Sequence, residues 1–205
     1  DTKSYYYVTV QGNDGKRIAT MTQPTGNSTL SLNTFDDHQF HELDLVNIGK
    51  LGRQWFGEVF DINQDQEFSF DFPNVDTSTP IKLSTNSASV AYTPTTFKVL
   101  ANGQDVGTMS FPALVQYSGI QFNSSSLNNI PFPSSENVKI KLSYNNNGVP
   151  GSKGYLDKIM LTAKRKLQGY GKQFLFQYDL SNSSTGIGSY DISNANGILQ
   201  IWDVT

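Results

Sequence analysis

Three groups of residues carry the types and spacing that could do chemistry. The first is Gly52-Arg53-Gln54-Trp55-Phe56-Gly57-Glu58, which sets a cation, a large ring and an acid close together. One reading is a recognition surface with Trp55 as a stacking platform for a partner, flanked by Arg53 and Glu58. The other is a buried Trp with an Arg53–Glu58 pair bracing a sheet, since large aromatics usually belong to cores. The second group is Asp61-x-Asn63-x-Asp65-x-Glu67, whose alternate oxygen ligands resemble the opening of a calcium loop. An EF-hand would place Gly at the sixth position and an acid at the twelfth, and here those are Gln66 and Phe72. What remains is a weak calcium candidate of four side chains, or a solvated turn, with Asp157 as a further oxygen. The third group is the two histidines, His38 and His41. Three residues apart on a strand they point to opposite faces and do not share a metal.

Other chemistry is excluded by what the chain lacks. It has no cysteine, so no disulfide, thiolate metal site or Cys nucleophile can form within it. It contains no Gly-x-Ser-x-Gly elbow and no glycine-rich phosphate loop leading into a helix. Glu42, Asp44, Glu58 and Asp61 cluster in sequence, but nothing in their spacing sets a carboxylate pair across a cleft. The residues therefore predict no catalytic site and no cofactor. The net charge of -3 provides no field for nucleic acid, and no apolar stretch is long enough to span a membrane.

The elements that must hold these residues are strands. Charged residues are only 16% of the 205 and are replaced by Asn, Ser, Thr, Gln and Gly, while 12% are aromatic. Aromatic richness with many turn formers is a β signature, and the aromatics and low charge argue against disorder. Period-two alternation recurs at Phe68/Phe70/Phe72, at Val138/Ile140/Leu142/Tyr144 and at Phe174/Phe176/Tyr178. Further strands are expected at Tyr5–Val10, Gln39–Val46, Gln54–Phe60, Ser87–Tyr92, Thr96–Leu100, Val106–Phe111 and Gly154–Ala163. Turns are expected at Asn13–Gly15, Asn102–Gly103, Asn145–Gly148 and Asn196–Gly197. Ser124–Asn129 reads as a polar loop, Lys164–Lys166 as a solvated basic strand end, and Lys164–Gln168 as the one stretch with weak helical character. The fold expected is all-β, an antiparallel, jelly-roll-like β-sandwich. It is read as a single region over 1–205, with a subdivision near 164 into a 1–163 sandwich and a 164–205 set of strands leading onward.

Three segments carry a family resemblance. Gly-Arg-x-Trp-Phe-Gly-Glu (Gly52 to Glu58), Gly-Tyr-Leu-Asp (Gly154 to Asp157) and Trp-Asp-Val-Thr (Trp202 to Thr205) stand in an order that resembles the pre-peptidase region of PorU-type cell-surface proteins. These are the gingipain-related sortases of the type IX secretion system. The matches are short and frame the chain from His41 to Thr205. The resemblance implies an exported bacterial protein at the cell surface or outer membrane, with a β-sandwich in front of a Cys–His peptidase domain. In that family the whole protein removes C-terminal sorting signals from cargo and joins the cargo to surface lipopolysaccharide. None of its catalytic residues carries over, because this chain has no Cys. The implied role is a non-catalytic accessory domain whose partners are its own peptidase domain, cargo or secretion components. The alternative is a carbohydrate-binding jelly roll using aromatics among Tyr5, Tyr6, Tyr7, Trp55, Tyr117 and Tyr170, most of which are expected in the core.

Overall fold

The computed structural model describes residues 6–8, 12, 19–50, 52–117 and 119–204. Its strands are β1 (Leu30–Leu32), β2 (Thr34–Glu42), β3 (Val59–Phe60), β4 (Asp65–Asp71), β5 (Ile81–Val90) and β6 (Thr95–Ala101), followed by β7 (Gln104–Phe111), β8 (Asn123–Phe132), β9 (Asn137–Asn145), β10 (Lys153–Lys166) and β11 (Gly188–Tyr190). Two antiparallel sheets form the body. One has the order β2-β10-β5-β8, with β3 also paired to β10, and the other the order β4-β9-β6-β7. From β4 onward the chain switches repeatedly between the sheets, as a jelly roll requires, and the expected all-β sandwich is what the structure shows. A small parallel ribbon, β1 with β11, ties residues near both ends of the chain together.

The core follows the alternation. Ile81 and Leu83 of β5 and Ile159 and Leu161 of β10 face Phe97 and Val99 of β6 and Val138, Ile140 and Leu142 of β9. Edge-on ring contacts join Phe97 to Phe60 at 4.8 Å and to Phe111 at 5.9 Å between centroids. Tyr144 lies 4.8 Å from Phe97, and its hydroxyl shares a 2.9 Å hydrogen bond with Ser89. These rings need the backbone of β10 to come close, and Gly154 permits that. A Cβ there would stand 2.5 Å from Phe97 Cζ. Just beyond, the register between β10 and β5 shifts between Leu156 and Lys158. That bulge lets Leu156 and Ile159, three apart, both face the core. It accounts for the Gly-Tyr-Leu-Asp signature in structural terms.

Other expectations shift. Asn102 and Gly103, both at positive φ, make the two-residue hairpin between β6 and β7 as expected. Ser124–Asn129 is not a loop. It lies in β8, an edge strand whose polar face meets water and whose Pro131 sits opposite Lys82, where an edge tolerates it. Lys164–Lys166 is neither helical nor wholly solvated: β10 continues through it to Lys166. Arg165 is only 8% exposed. It donates through Nε to the Pro73 carbonyl at 2.7 Å and through Nη1 to Asp37 at 2.9 Å, with its guanidinium carbon 5.1 Å from the centre of the Phe35 ring. Phe174–Tyr178 is not a strand. Its rings instead stack in a chain from Phe35 through Phe174 and Phe176 to Tyr190. β5 begins at Ile81, ahead of the expected Ser87, while of Gln54–Phe60 only Val59 and Phe60 are strand. Tyr6–Val8 is not strand; the rest of Tyr5–Val10 and the whole of Asn13–Gly15 lie outside the described residues.

The Gly154 contact makes a direct prediction. Gly154→Ala forces Phe97 and Tyr144 off their positions and costs about 1–3 kcal/mol. Gly151→Ala, in open space, leaves stability within about 0.5 kcal/mol. Urea unfolding monitored by circular dichroism measures both.

Candidate functional site

The Arg53–Glu58 segment lies in the long connection between β2 and β3. Phe56 anchors it. Its carbonyl accepts from the Leu45 and Val46 amides at 2.8 Å, and its ring packs edge-on to Phe122 at 5.2 Å. Phe56, Ala88 and Tyr155 form a second apolar cluster on the outer face of the first sheet. Gly52, at φ 78°, turns the chain before it. Between these two points Arg53 and Trp55 project outward, and Trp55 is 43% exposed. Glu58 points elsewhere. Its Oε1 meets His41 Nε2 at 2.7 Å, so the acid that was expected to pair with Arg53 pairs with a histidine. Sequence proximity misled here because the chain runs extended from Phe56 to Phe60 along β10, with the Gly57 amide on the Leu156 carbonyl and the Leu156 amide on the Glu58 carbonyl, which carries Glu58 away from Arg53 and beside His41 of β2. The structure thus separates the three: Arg53 and Trp55 at the surface, Glu58 mostly buried as a brace.

The two histidines take opposite faces of β2, as the spacing predicts. His38 Nδ1 lies 3.0 Å from Thr162 Oγ1 and its Nε2 lies 2.9 Å from Asp179. His41 turns inward, with its ring 4.7 Å from the Phe68 ring. In the second candidate group, Asp65 and Glu67 lie on β4 and each meets a lysine of β9: Lys141 at 2.9 Å and Lys139 at 2.8 Å. Asp61 accepts from the Ile62 amide and has Lys153 at 4.0 Å, while Asn63 is exposed in the turn. Hydrogen bonds from Ser143 and Lys141 hold the Asp65 carboxyl below its ordinary value. Among the described residues, no three of His, Asp and Glu gather in a group that could hold a metal.

The aromatics offered for sugar stacking are placed differently than expected. Tyr6, Tyr7, Trp55, Tyr117 and Tyr170 are all exposed rather than core, because they sit outside the ladders; Tyr5 lies outside the described residues. Tyr170 packs over the Arg165 guanidinium at 5.5 Å.

One feature was not foreseen from the sequence. The sandwich has a groove of about 570 Å³ on the side where β2 and β4 are the edge strands of their sheets. It is lined by four consecutive residues from each, 38–41 and 67–70. Gln39 reaches across it to donate to the Asp71 carbonyl at 2.6 Å.

These observations define a class, a jelly-roll-like β-sandwich module with an edge groove and an exposed Arg–Trp loop. No protein-family model and no curated protein matches the chain. Among solved structures it is similar to dimeric latent PorU from Porphyromonas gingivalis, at 18% identity and a TM-score of 0.70 over 85% of this chain. At that identity the likeness is one of fold, and this chain covers 17% of that one. A CBM36 carbohydrate-binding module in complex with calcium and xylotriose matches at 17% identity and TM-score 0.35, over 57% of this chain and 97% of that one. A CBM36-1 domain of a xylanase from the hindgut metagenome of Trinervitermes trinervoides matches at 12% identity and TM-score 0.36, over 61% and 96%.

The His38–Asp179 contact gives a pH prediction. Partial burial pushes the Asp179 carboxyl up, but hydrogen bonds from His38 and Gln177, aided by the charges of His38 and Lys164, outweigh it and hold the carboxyl below its ordinary value of 3.8. A lowered folded pKa stabilises the docked segment above the ordinary carboxylate pKa, and this is lost as pH falls through the lowered value. Hydrogen exchange over 174–184, corrected for intrinsic rates, should therefore accelerate relative to β10 as the pH falls below the ordinary value of 3.8. In Asp179→Asn it should already be fast at neutral pH.

Proposed function

We propose that this chain is a non-catalytic accessory domain of an exported bacterial cell-surface peptidase of the PorU type, holding the peptidase and docking cargo or secretion partners. The observation that carries this reading is the likeness of fold to PorU over 85% of the chain. The composition supports the non-catalytic part: the chain has no Cys, and both histidines are engaged with acids on opposite faces of one strand. Docking is supported by what the surface exposes. Arg53 and Trp55 stand out on a loop whose base is fixed by Phe56. Leu199, Ile201, Trp202 and Val204 are also all exposed, an apolar run of the kind that contacts cover in assembled proteins. In this reading Glu58 is a brace for the Arg53–Trp55 loop rather than a contact residue. No cofactor is assigned.

The coding sequence downstream of Thr205 tests the proposal. An α/β domain carrying a Cys and a His supports it; a frame that closes at Thr205 or enters an unrelated domain contradicts it. With that domain expressed separately, the Arg53→Ala/Trp55→Ala variant should keep its melting temperature within about 2 °C while binding the domain about tenfold more weakly, as loss of a central Trp and Arg does. Titration calorimetry measures the binding, and a folded double variant with unchanged affinity rejects the role of these two residues.

A further inference from the structure

The groove between β2 and β4 is bounded by backbone that its own sheets leave unpaired. In an antiparallel ladder the amide and carbonyl of a residue point to the same side, and the side alternates along the strand. The Phe72 amide bonds the Glu136 carbonyl and the Tyr144 amide bonds the Gln64 carbonyl, so the even-numbered residues of β4 face β9. Glu67 and Ser69 therefore aim their amides and carbonyls outward, along the groove. On β2 the Leu167 amide bonds the Asn33 carbonyl, so the odd-numbered residues face β10 and His38 and Phe40 face out. The inward side chains Gln39, His41, Phe68 and Phe70 form the floor, and Phe40 stands 73% exposed on one wall.

The two edges are not equally open. Part of the β2 edge is already covered by the chain itself. The Asp36 amide donates to the Gln177 carbonyl at 2.9 Å, and Asp179 takes the His38 ring. The β4 edge carries no such cover along Glu67 and Ser69 among the described residues. The groove lining carries two histidines and one acid, Glu67, but apart from histidine the charge of the two strands that bound it is all acidic. β2 and β4 contain Asp36, Asp37, Glu42, Asp65, Glu67 and Asp71 and no Lys or Arg. Four of these are matched by lysines or Arg165 from neighbouring strands, while Glu42 and Asp71 have no ion-pair partner among the described residues.

We propose that this groove accepts an extended, basic peptide segment, which pairs with the free edge of β4 as an added strand. Backbone pairing supplies affinity, the exposed Phe40 beside the groove takes an apolar side chain, and Glu42 and Asp71 select Lys or Arg in the segment. A peptide is favoured over a glycan because the free groups repeat at strand spacing, which an extended backbone matches. The site goes beyond the accessory-domain reading and does not depend on it, since it would bind such a peptide on any parent protein.

The test uses the whole chain and an acetylated, amidated peptide alternating Lys with Val, long enough to span β4. The same peptide with Glu for Lys, an analogue N-methylated along one edge, and xylotriose serve as comparisons in fluorescence competition. The Lys peptide should bind at least about tenfold tighter than the Glu peptide and weaken with salt. N-methylation on the pairing edge should abolish binding. Ser69→Pro, which removes an outward amide and spares the ladder to β9, should weaken binding about tenfold at unchanged circular dichroism. Glu42→Lys with Asp71→Lys should remove the preference for Lys over Glu. Equal or absent binding of the two charged peptides, indifference to N-methylation, or binding of xylotriose in place of the peptide overturns the proposal.

Discussion

Gly154 allows β10 to run hard against the rings of Phe97 and Tyr144, and most of the molecule is arranged around that approach. β10 is paired on both sides, with β2 and β3 on one flank and β5 on the other. Its inner residues Leu156, Ile159, Leu161 and Ala163 face the second sheet. At its far end Arg165 closes the sandwich by bonding Asp37 and the Pro73 carbonyl under two aromatic rings. On its outer face Tyr155 receives Phe56, and Phe56 in turn fixes the loop that displays Arg53 and Trp55. One strand thus joins the core, the exposed loop and the docked C-terminal segment.

The chemistry of the surface follows from this use of residues. Acids and bases are spent on bracing: Lys139 and Lys141 on β4 carboxylates, Lys164 and Arg165 on Asp36 and Asp37, His41 on Glu58. Left to meet other molecules are backbone along a sheet edge, exposed apolar side chains, and a few charges such as Arg53, Glu42 and Asp71 that no ion pair engages among the described residues. Such a surface is compatible with the docking role proposed above.

Strands that alternate cleanly between buried and solvated faces were legible from sequence. β4, β6, β7, β9 and most of β10 fall where the period of two puts them, and the Asn102–Gly103 hairpin forms as written. The failures share a cause. β8 alternates Ser and Asn with Leu127 and Ile130 on an edge, where burial is slight and the apolar signal fades into a loop signal. The Phe174–Tyr178 run has the right period, but among the described residues its backbone meets a neighbouring strand only through the Asp36 amide on the Gln177 carbonyl. Of the candidate site, the opposite faces of His38 and His41 were readable from spacing. The pairing of Glu58 with His41 was not, because it depends on β2 and β3 sharing one flank of β10, a long-range arrangement. The edge groove had no signal at all, since the order of strands within each sheet is not written in local periodicity.

Native-state hydrogen exchange on β10 tests the central claim most directly. If Gly154, Phe97 and Tyr144 set the structure, the ladder amides of β10 from Gly154 to Arg165 should be the slowest in the chain and open only with global unfolding. Their exchange free energy should equal the unfolding free energy from denaturant, while residues 170–204 open well below it. If β10 amides exchange as fast as that C-terminal segment, or open independently of β5 and β9, the account is contradicted.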